Sequence, residues 1–401
     1  GALSTELWRN RGPSVMASEE ATVDVLSPEV YAEILSIRGQ LFSTRSPGSF
    51  RDLDARLRQL ELIAPGVLEV LQLRVRVLRL LYDATRDTDP LDRALGVVAR
   101  AKILAPDAIE PFLLELEVTA ALSQRGRVGE LLTALERRFP DRLAHGDLLR
   151  AWATRVEGQP ELALAALRRL AASRPEPFTL FELAHVEVEL GEYGAARKRL
   201  EALLVVAPGM TQAQALLAQA EMLGGDLDRA IEIYRRLTDN QPGAGNLSNL
   251  GLALVLAGRL DEAKENFLRA EELAPSHPTV ILNAADGLRY VGEGAAARSR
   301  YRSLLDLTGR PESAEDWNTW TVRAQALVHL GEPTEARKAL RRARSLSNRP
   351  EVLLEAAVVL AGLGEDEAAR SLLETAITER GLAPIWRRLP AFEAFGVRAS
   401  P

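Results

Sequence analysis

Cysteine is absent from the 401 residues. That absence excludes disulfides, thiolate metal sites, thiol nucleophiles and thiol redox chemistry together, and it leaves either side of a bacterial inner membrane open as the compartment. Aromatic residues are scarce, at 5%, which argues against a base-stacking or carbohydrate-binding surface. Lysine is nearly missing, four against 46 arginines, a bias read first as that of a GC-rich genome. No apolar run reaches the roughly 18 residues that a membrane-spanning helix needs. The opening Gly1-Ala2-Leu3-Ser4-Thr5 has no basic stretch followed by an apolar one, so no signal peptide is expected.

Catalytic and metal-binding patterns are missing as well. The histidines His145, His185, His277 and His329 never stand three or four positions apart, which removes a helix-borne metal pair. There is no Gly-x4-Gly-Lys-Ser/Thr loop and no Gly-x-Ser-x-Gly elbow. Gly243-Ala244-Gly245 and Gly292-Glu293-Gly294 have no strand before them and read as turns between helices. Carboxylates are plentiful, but periodicity puts them on solvated helix faces, so no acid–base pair is expected to converge. The expectation is a chain that is not an enzyme and carries no cofactor and no metal.

What is present is the composition of a folded protein, 47% hydrophobic and 26% charged, with a formal charge of −6. A mildly acidic chain makes a poor binder of phosphate backbones, so nucleic acid is not expected as a partner of this region. The informative feature is a repeat. Gly258, Ala263, Phe267, Ala270 and Pro275 recur at the same offsets as Gly225, Ala230, Tyr234, Leu237 and Pro242. Gly191, Ala196, Leu200, Leu203 and Pro208 form the copy before, and Gly158, Ala163, Leu167, Leu170 and Pro175 the one before that. The four prolines are 33, 34 and 33 residues apart. Weaker copies run upstream to Leu53 and Pro65 and downstream through Gly292, Gly331 and Gly364, for about ten units.

Each unit reads as a helical hairpin. Asn246 to Ala257 carries Leu247, Leu250, Leu254 and Ala257 at helical spacing. Gly258 supplies the open backbone for a left-handed cap, and Asp261 and Glu262 fall in the first turn of the second helix, where the helix dipole favours acids. Ala263, Phe267 and Ala270 form that helix's inner stripe, small residues letting the helices approach and the large one filling the gap. Pro275 stops the run. One such hairpin cannot bury its apolar face alone, so neighbours must stack.

This pattern, Gly-x4-Ala-x3-aromatic-x2-Ala-x4-Pro at a period near 34, resembles the tetratricopeptide repeat (TPR). The resemblance implies an all-α fold, a right-handed α-solenoid of about ten TPR-like hairpins over residues 27–384. It is preceded by an extended segment at 1–26 and followed by a C-terminal segment at 385–401 that caps the exposed end. The family's first-helix Trp and Leu-Gly pair survive only as Trp320 and as Leu250-Gly251, and its later Tyr is replaced by Glu187, Glu221, Leu254, Leu288, Leu327 and Leu360.

The resemblance further implies that first helices line a concave groove. Offsets from the turn glycines place Trp152, Arg155, Phe181, His185, Gln212, Gln219, Met222, Asn249, Leu252, Asn283, Asp286, Arg289, Asn318 and Gln325 there. The amides suit hydrogen bonding to an extended peptide. A known mode of the family clamps a C-terminal carboxylate with Lys and Asn. The positions that would hold the Lys are Phe181, Ala215, Ser248, Leu282 and Thr321, so that mode is not expected. The functional expectation is a scaffold or adaptor binding a protein or peptide in the groove. The alternative is a sensory or regulatory TPR region of a larger bacterial signalling protein. Leu7-Trp8-Arg9, then Ser27 to Tyr31, then the repeats, is an order similar to chains in which the array follows a kinase or winged-helix domain. The sequence does not set the oligomeric state.

Overall fold

The computed structural model describes residues 27–43, 47–85, 88–122, 127–140, 146–156, 158–173, 175–240, 242–309 and 317–395. The expected extended lead-in at 1–26 lies outside them, as does most of the connection between Thr308 and Trp317. Among the described residues the regular structure is wholly helical, twenty α-helices and two short 3₁₀ segments, and no helix is long and apolar enough to cross a membrane. The chain forms two compact units, residues 1–186 and 187–401.

The first unit holds α1 (Pro28–Ser43), α2 (Pro47–Ile63), α3 (Leu68–Thr85), α4 (Asp89–Leu104), α5 (Glu110–Ala121), α6 (Arg127–Arg138), α7 (Gly146–Val156) and α8 (Pro160–Ser173). Helix α9 (Pro177–Glu189) spans the division. Helix α3 shows how the stack holds together. Its Val70, Leu73 and Val77 pack with Ile34 and Ile37 of α1 and Leu53 and Leu57 of α2. Its Leu71, Val75 and Leu78 pack with Leu91, Ala94 and Val98 of α4 and with Leu114 of α5. Each side chain so buried contributes about 1.5–3 kcal/mol, and a helix used on two sides gains that only when both neighbours are present.

The second unit continues with α10 (Tyr193–Val206), α11 (Thr211–Leu223), α12 (Leu227–Asn240), α13 (Ala244–Leu256), α14 (Leu260–Leu273), α15 (Pro278–Tyr290), α16 (Gly294–Leu307), α17 (Trp317–Leu330), α18 (Pro333–Leu346), α19 (Pro350–Gly362) and α20 (Asp366–Arg380). Helix α13 starts at Ala244, before the expected Asn246, because Gly243 takes extended backbone there and opens the helix. At its other end Gly258 has φ of +75°. The Gly258 N–H donates to the Val255 carbonyl at 2.9 Å and the Arg259 N–H to the Leu254 carbonyl at 2.8 Å, the paired bonds of a Schellman cap. The turn glycines of the other units, from Gly158 to Gly364, share the left-handed conformation. The alanines of the predicted inner stripe are buried, with Ala196, Ala230, Ala263, Ala297, Ala336 and Ala369 all inaccessible or nearly so.

One expectation fails. Several carboxylates lie in the interior and not on solvated faces: Asp54, Glu182, Glu187 and Glu221 are buried. Glu187 and Glu221, which replace the family's later first-helix Tyr, are 1% and 0% exposed. Arginines reaching over from second helices compensate them. Arg199 grips both oxygens of Glu187 at 2.8 and 3.0 Å. Arg197 and Arg229 approach Glu221 at 3.0 and 2.9 Å. Asp54 in α2 is held by Arg74 of the first helix α3 at 2.9 Å and by Arg93 of α4. A buried charge persists only when paired and hydrogen-bonded, and the arginine-rich composition supplies the partners.

Candidate functional site

In the second unit successive first helices touch one another, α11 with α13, α13 with α15, α15 with α17 and α17 with α19. Such contacts mark the inner side of a curved stack, where the spacing is shortest. On this inner layer a polar cluster gathers from four helices. Asn283, Asp286 and Arg289 follow one face of α15. Tyr301, from the second helix α16, donates its hydroxyl to Asp286 at 2.5 Å. Arg289 donates to the same Tyr301 oxygen at 3.3 Å, stands 3.6 Å from Asp286, and lies with its guanidinium 4.5 Å over the ring of Tyr290. His329, in the last turn of α17, stacks on Tyr301 at 4.9 Å and points Nε2 to within 3.8 Å of Asp286. One turn earlier Gln325 donates its amide to Glu355 of α19.

Crowding of these groups sets their charge. Burial, with negative Asp286 and Glu351 nearby, pushes the Glu355 carboxyl up to about 7, against the opposing pull of the Gln325 hydrogen bond. Burial holds His329 below its ordinary value even though Asp286 favours its charge, and Arg289 adds to the lowering. Burial and Asp286 raise the Tyr301 hydroxyl. At neutral pH the site therefore holds a paired Asp286 and Arg289, a neutral His329 and Tyr301, and a Glu355 able to donate or accept. These are groups suited to hydrogen bonding. Among the described residues no three His, Asp or Glu side chains are arranged to hold a metal ion.

The groove residues expected from sequence fall into two sets. Trp152, Arg155, Phe181 and His185 belong to the first unit. Trp152 and Phe181 are buried core there, not open surface, because rings of that size on α7 and α9 are needed for packing. Phe181 meets His185 edge-on at 6.3 Å, while burial and the Arg155 guanidinium push His185 down to about 3, which keeps it neutral. Arg155 lies 3.6 Å from buried Glu182.

In the second unit Asp286, Arg289 and Gln325 join the cluster, and Asn283 precedes them on α15. Asn318 donates to Thr279 at 3.2 Å. Gln212 accepts from Thr211 at 3.3 Å. Gln219 and Asn249 are exposed. Reading offsets missed Tyr301, which stands nine residues after Gly292 as Phe267 does after Gly258, and Glu355. Glu355 stands nine residues before Gly364, as Asn249 and Asn283 stand nine before their turn glycines, so the same offset finds it.

The C-terminal segment shares this inner layer. Gly381, with φ of +73°, ends α20 and turns the chain back. The 3₁₀ segment Pro384–Arg388 then contacts α11 and α13. Ala383 and Ile385 enter the apolar cluster of α11 to α14, and Trp386 and Leu389 pack against it. Beyond the second 3₁₀ segment's start at Pro390, Phe392 enters the separate cluster of α19 and α20. The ends of the unit meet, since a β-carbon at Gly191 would stand 3.8 Å from the Gly381 carbonyl.

Comparison with known proteins agrees with the helical reading. Profiles of the tetratricopeptide repeat match residues 181–245, 282–350 and 321–384, and a second such profile matches 244–277. No curated protein matches the sequence. Among solved structures, the chain is similar to the APC/C hetero-tetramer Cut9–Hcn1, with 17% identity and a TM-score of 0.51. That match covers 82% of this chain but only 59% of the other, so this chain spans about three fifths of that relative. A Rap protein complexed with Competence and Sporulation Factor aligns at 13% identity and a TM-score of 0.53, over 78% of this chain and 98% of that one. A repeat protein from Parabacteroides merdae aligns at 16% identity and a TM-score of 0.43, over 62% and 97%. At such identities the likeness is one of fold. Period, left-handed turn glycines, buried alanine stripe and profile matches converge: residues 181–384 carry tetratricopeptide repeats.

Proposed function

We propose that this chain is a non-enzymatic interaction scaffold that takes a protein or peptide partner on the inner layer of residues 187–401. The observation that carries the reading is the cluster of Asp286, Arg289, Tyr301, Gln325 and Glu355, groups from successive repeats on the face where first helices meet, with Tyr301 and Gln325 buried and the other three half-buried. A peptide main chain brings one donor and one acceptor per residue, and amides together with a carboxyl near its titration point satisfy both. Partly desolvated polar groups of this kind dominate recognition, because each left unpaired is costly.

The test is selection from a displayed random-peptide library against the full chain, followed by affinity measurement with Asn283→Ala plus Arg289→Ala. Selected peptides are expected to lose about ten-fold or more in affinity while far-UV helicity is kept. Failure to select any peptide, or unchanged affinity in the folded double variant, overturns the reading.

A further inference from the structure

We infer that residues 383–389 are an internal ligand of the groove, and that a partner peptide of the same chemistry displaces them. This rests on the inner layer being the binding surface, and it names what that surface takes: a short segment with aliphatic and aromatic anchors around a basic pair.

The resident segment shows that chemistry. Ile385, 9% exposed, lies in the apolar cluster of α11 to α14, and Trp386 and Leu389 pack both against it and against the cluster of α19 and α20. Between them Arg387 reaches Glu374 of α20 with two donors, at 2.9 and 2.5 Å, and Arg388 is exposed. Glu374 thus matches the basic pair in charge at its first member.

The mode of attachment is that of a ligand more than of a repeat. Leu382 donates its N–H to the Ala376 carbonyl of α20 at 2.9 Å, but from Ala383 to Leu389 the backbone hydrogen bonds are local, Trp386 to Ala383 at 3.3 Å and Leu389 to Trp386 at 3.2 Å, in a 3₁₀ geometry that bonds poorly. Side chains provide the hold on α11 and α13. Gly381 tethers the segment on one side and Phe392, packed with the last hairpin, on the other, so 383–389 can lift from α11 and α13 without unwinding α20. A deeper anchor, Phe392 at 0% exposure, sits with the last hairpin and not in the groove. Release of 383–389 therefore uncovers the inner face first.

Tethering gives the segment an effective concentration on the order of mM, so an outside peptide competes at a disadvantage that weakening the resident removes. The probe is a fluorescein-labelled peptide of residues 380–392, titrated by fluorescence polarisation into the full chain and into the full-length variant Ile385→Ala/Trp386→Ala/Leu389→Ala. The variant is expected to bind the probe at least about ten-fold more tightly than the unaltered chain, and a probe carrying Trp386→Ala is expected not to bind. Equal binding by both chains, or no binding by a variant with unchanged helicity, overturns the inference.

Should the variant not fold, hydrogen exchange on the unaltered chain decides. Amides of 383–389 are expected to exchange at least ten-fold faster than those in the middle of α19 and α20, roughly one decade per 1.4 kcal/mol of local opening. Exchange of the segment only together with α20 overturns the inference. Neither result depends on the library-selected peptides, whose binding could survive failure here if they engage only the Asp286 cluster.

Discussion

Gly251 and Gly258 are both conformational choices of α13, and they differ in kind. A β-carbon on Gly258 would meet nothing within 4 Å, so Gly258→Ala costs only left-handed strain, about 1 kcal/mol. A β-carbon on Gly251 would fall 2.4 Å from Cε1 of Phe267, whose ring is also pressed by Gly287 from α15. There the roughly 1 kcal/mol helical advantage of alanine is outweighed by overpacking of about 1–3 kcal/mol. Both variants are expected to unfold at lower denaturant concentration, and only Gly251→Ala is expected to alter the near-UV signal of the packed rings.

Glu355 gives the residue scale its pH dependence. Its carboxyl titrates near 7 when folded, against an ordinary value of 4.5. Between those limits the folded chain holds a proton that the unfolded chain has lost, so stability from this group falls as pH rises through 7 and is fully present below 4.5. Other carboxylates titrate too, which makes the comparison with Glu355→Gln the informative one. Relative to that variant, the unaltered chain is expected to lose about 1–3 kcal/mol between about pH 5 and about pH 8.5, measured by urea unfolding. A difference that stays flat with pH refutes the assignment.

At the scale of helices, the buried acids show how one repeat position is filled in two ways. Glu221 is inaccessible between Arg197 and Arg229, whereas later repeats place Leu254, Leu288 and Leu327 at the same position. The arginines reach water and the carboxylate does not. Glu221→Leu frees them to solvate and is expected to change stability by less than about 1.5 kcal/mol. Arg197→Met plus Arg229→Met strands the charge and is expected to cost about 3–5 kcal/mol. Chemical unfolding of the two variants checks the asymmetry.

The same position shows what was legible in sequence. Turn glycines and the Ala–aromatic–Ala stripe are local signals, each satisfied within one hairpin, and from them the helix order could be read. The partners of Glu221 come from two different helices, and Tyr301 reaches Asp286 across a hairpin. Such pairings depend on how faces meet, which a helical period does not encode.

At the scale of the whole second unit, the C-terminal segment changes how disturbance spreads. A repeat stack couples nearest neighbours, so weakening the last hairpin should be felt next in α17 and α18, then in α15 and α16, and only afterwards in α13 and α11. Ala383 and Ile385, however, join the cluster of α11 to α14, while Leu382 and Phe392 join that of α19 and α20, a link between helices far apart in the chain. No single repeat contains the information for it, because it exists only once the curve of several repeats has brought Gly191 and Gly381 together. Leu373 sits at the centre of the last hairpin's cluster, and Leu373→Ala is expected to cost about 2–5 kcal/mol there. Hydrogen exchange of that variant is expected to rise in α19, α20 and residues 382–392, and to rise in α11 and α13 by at least as much as in α15 and α16. Exchange that decays in simple sequence order from α19 toward α11 would mean that the segment bridges nothing energetically.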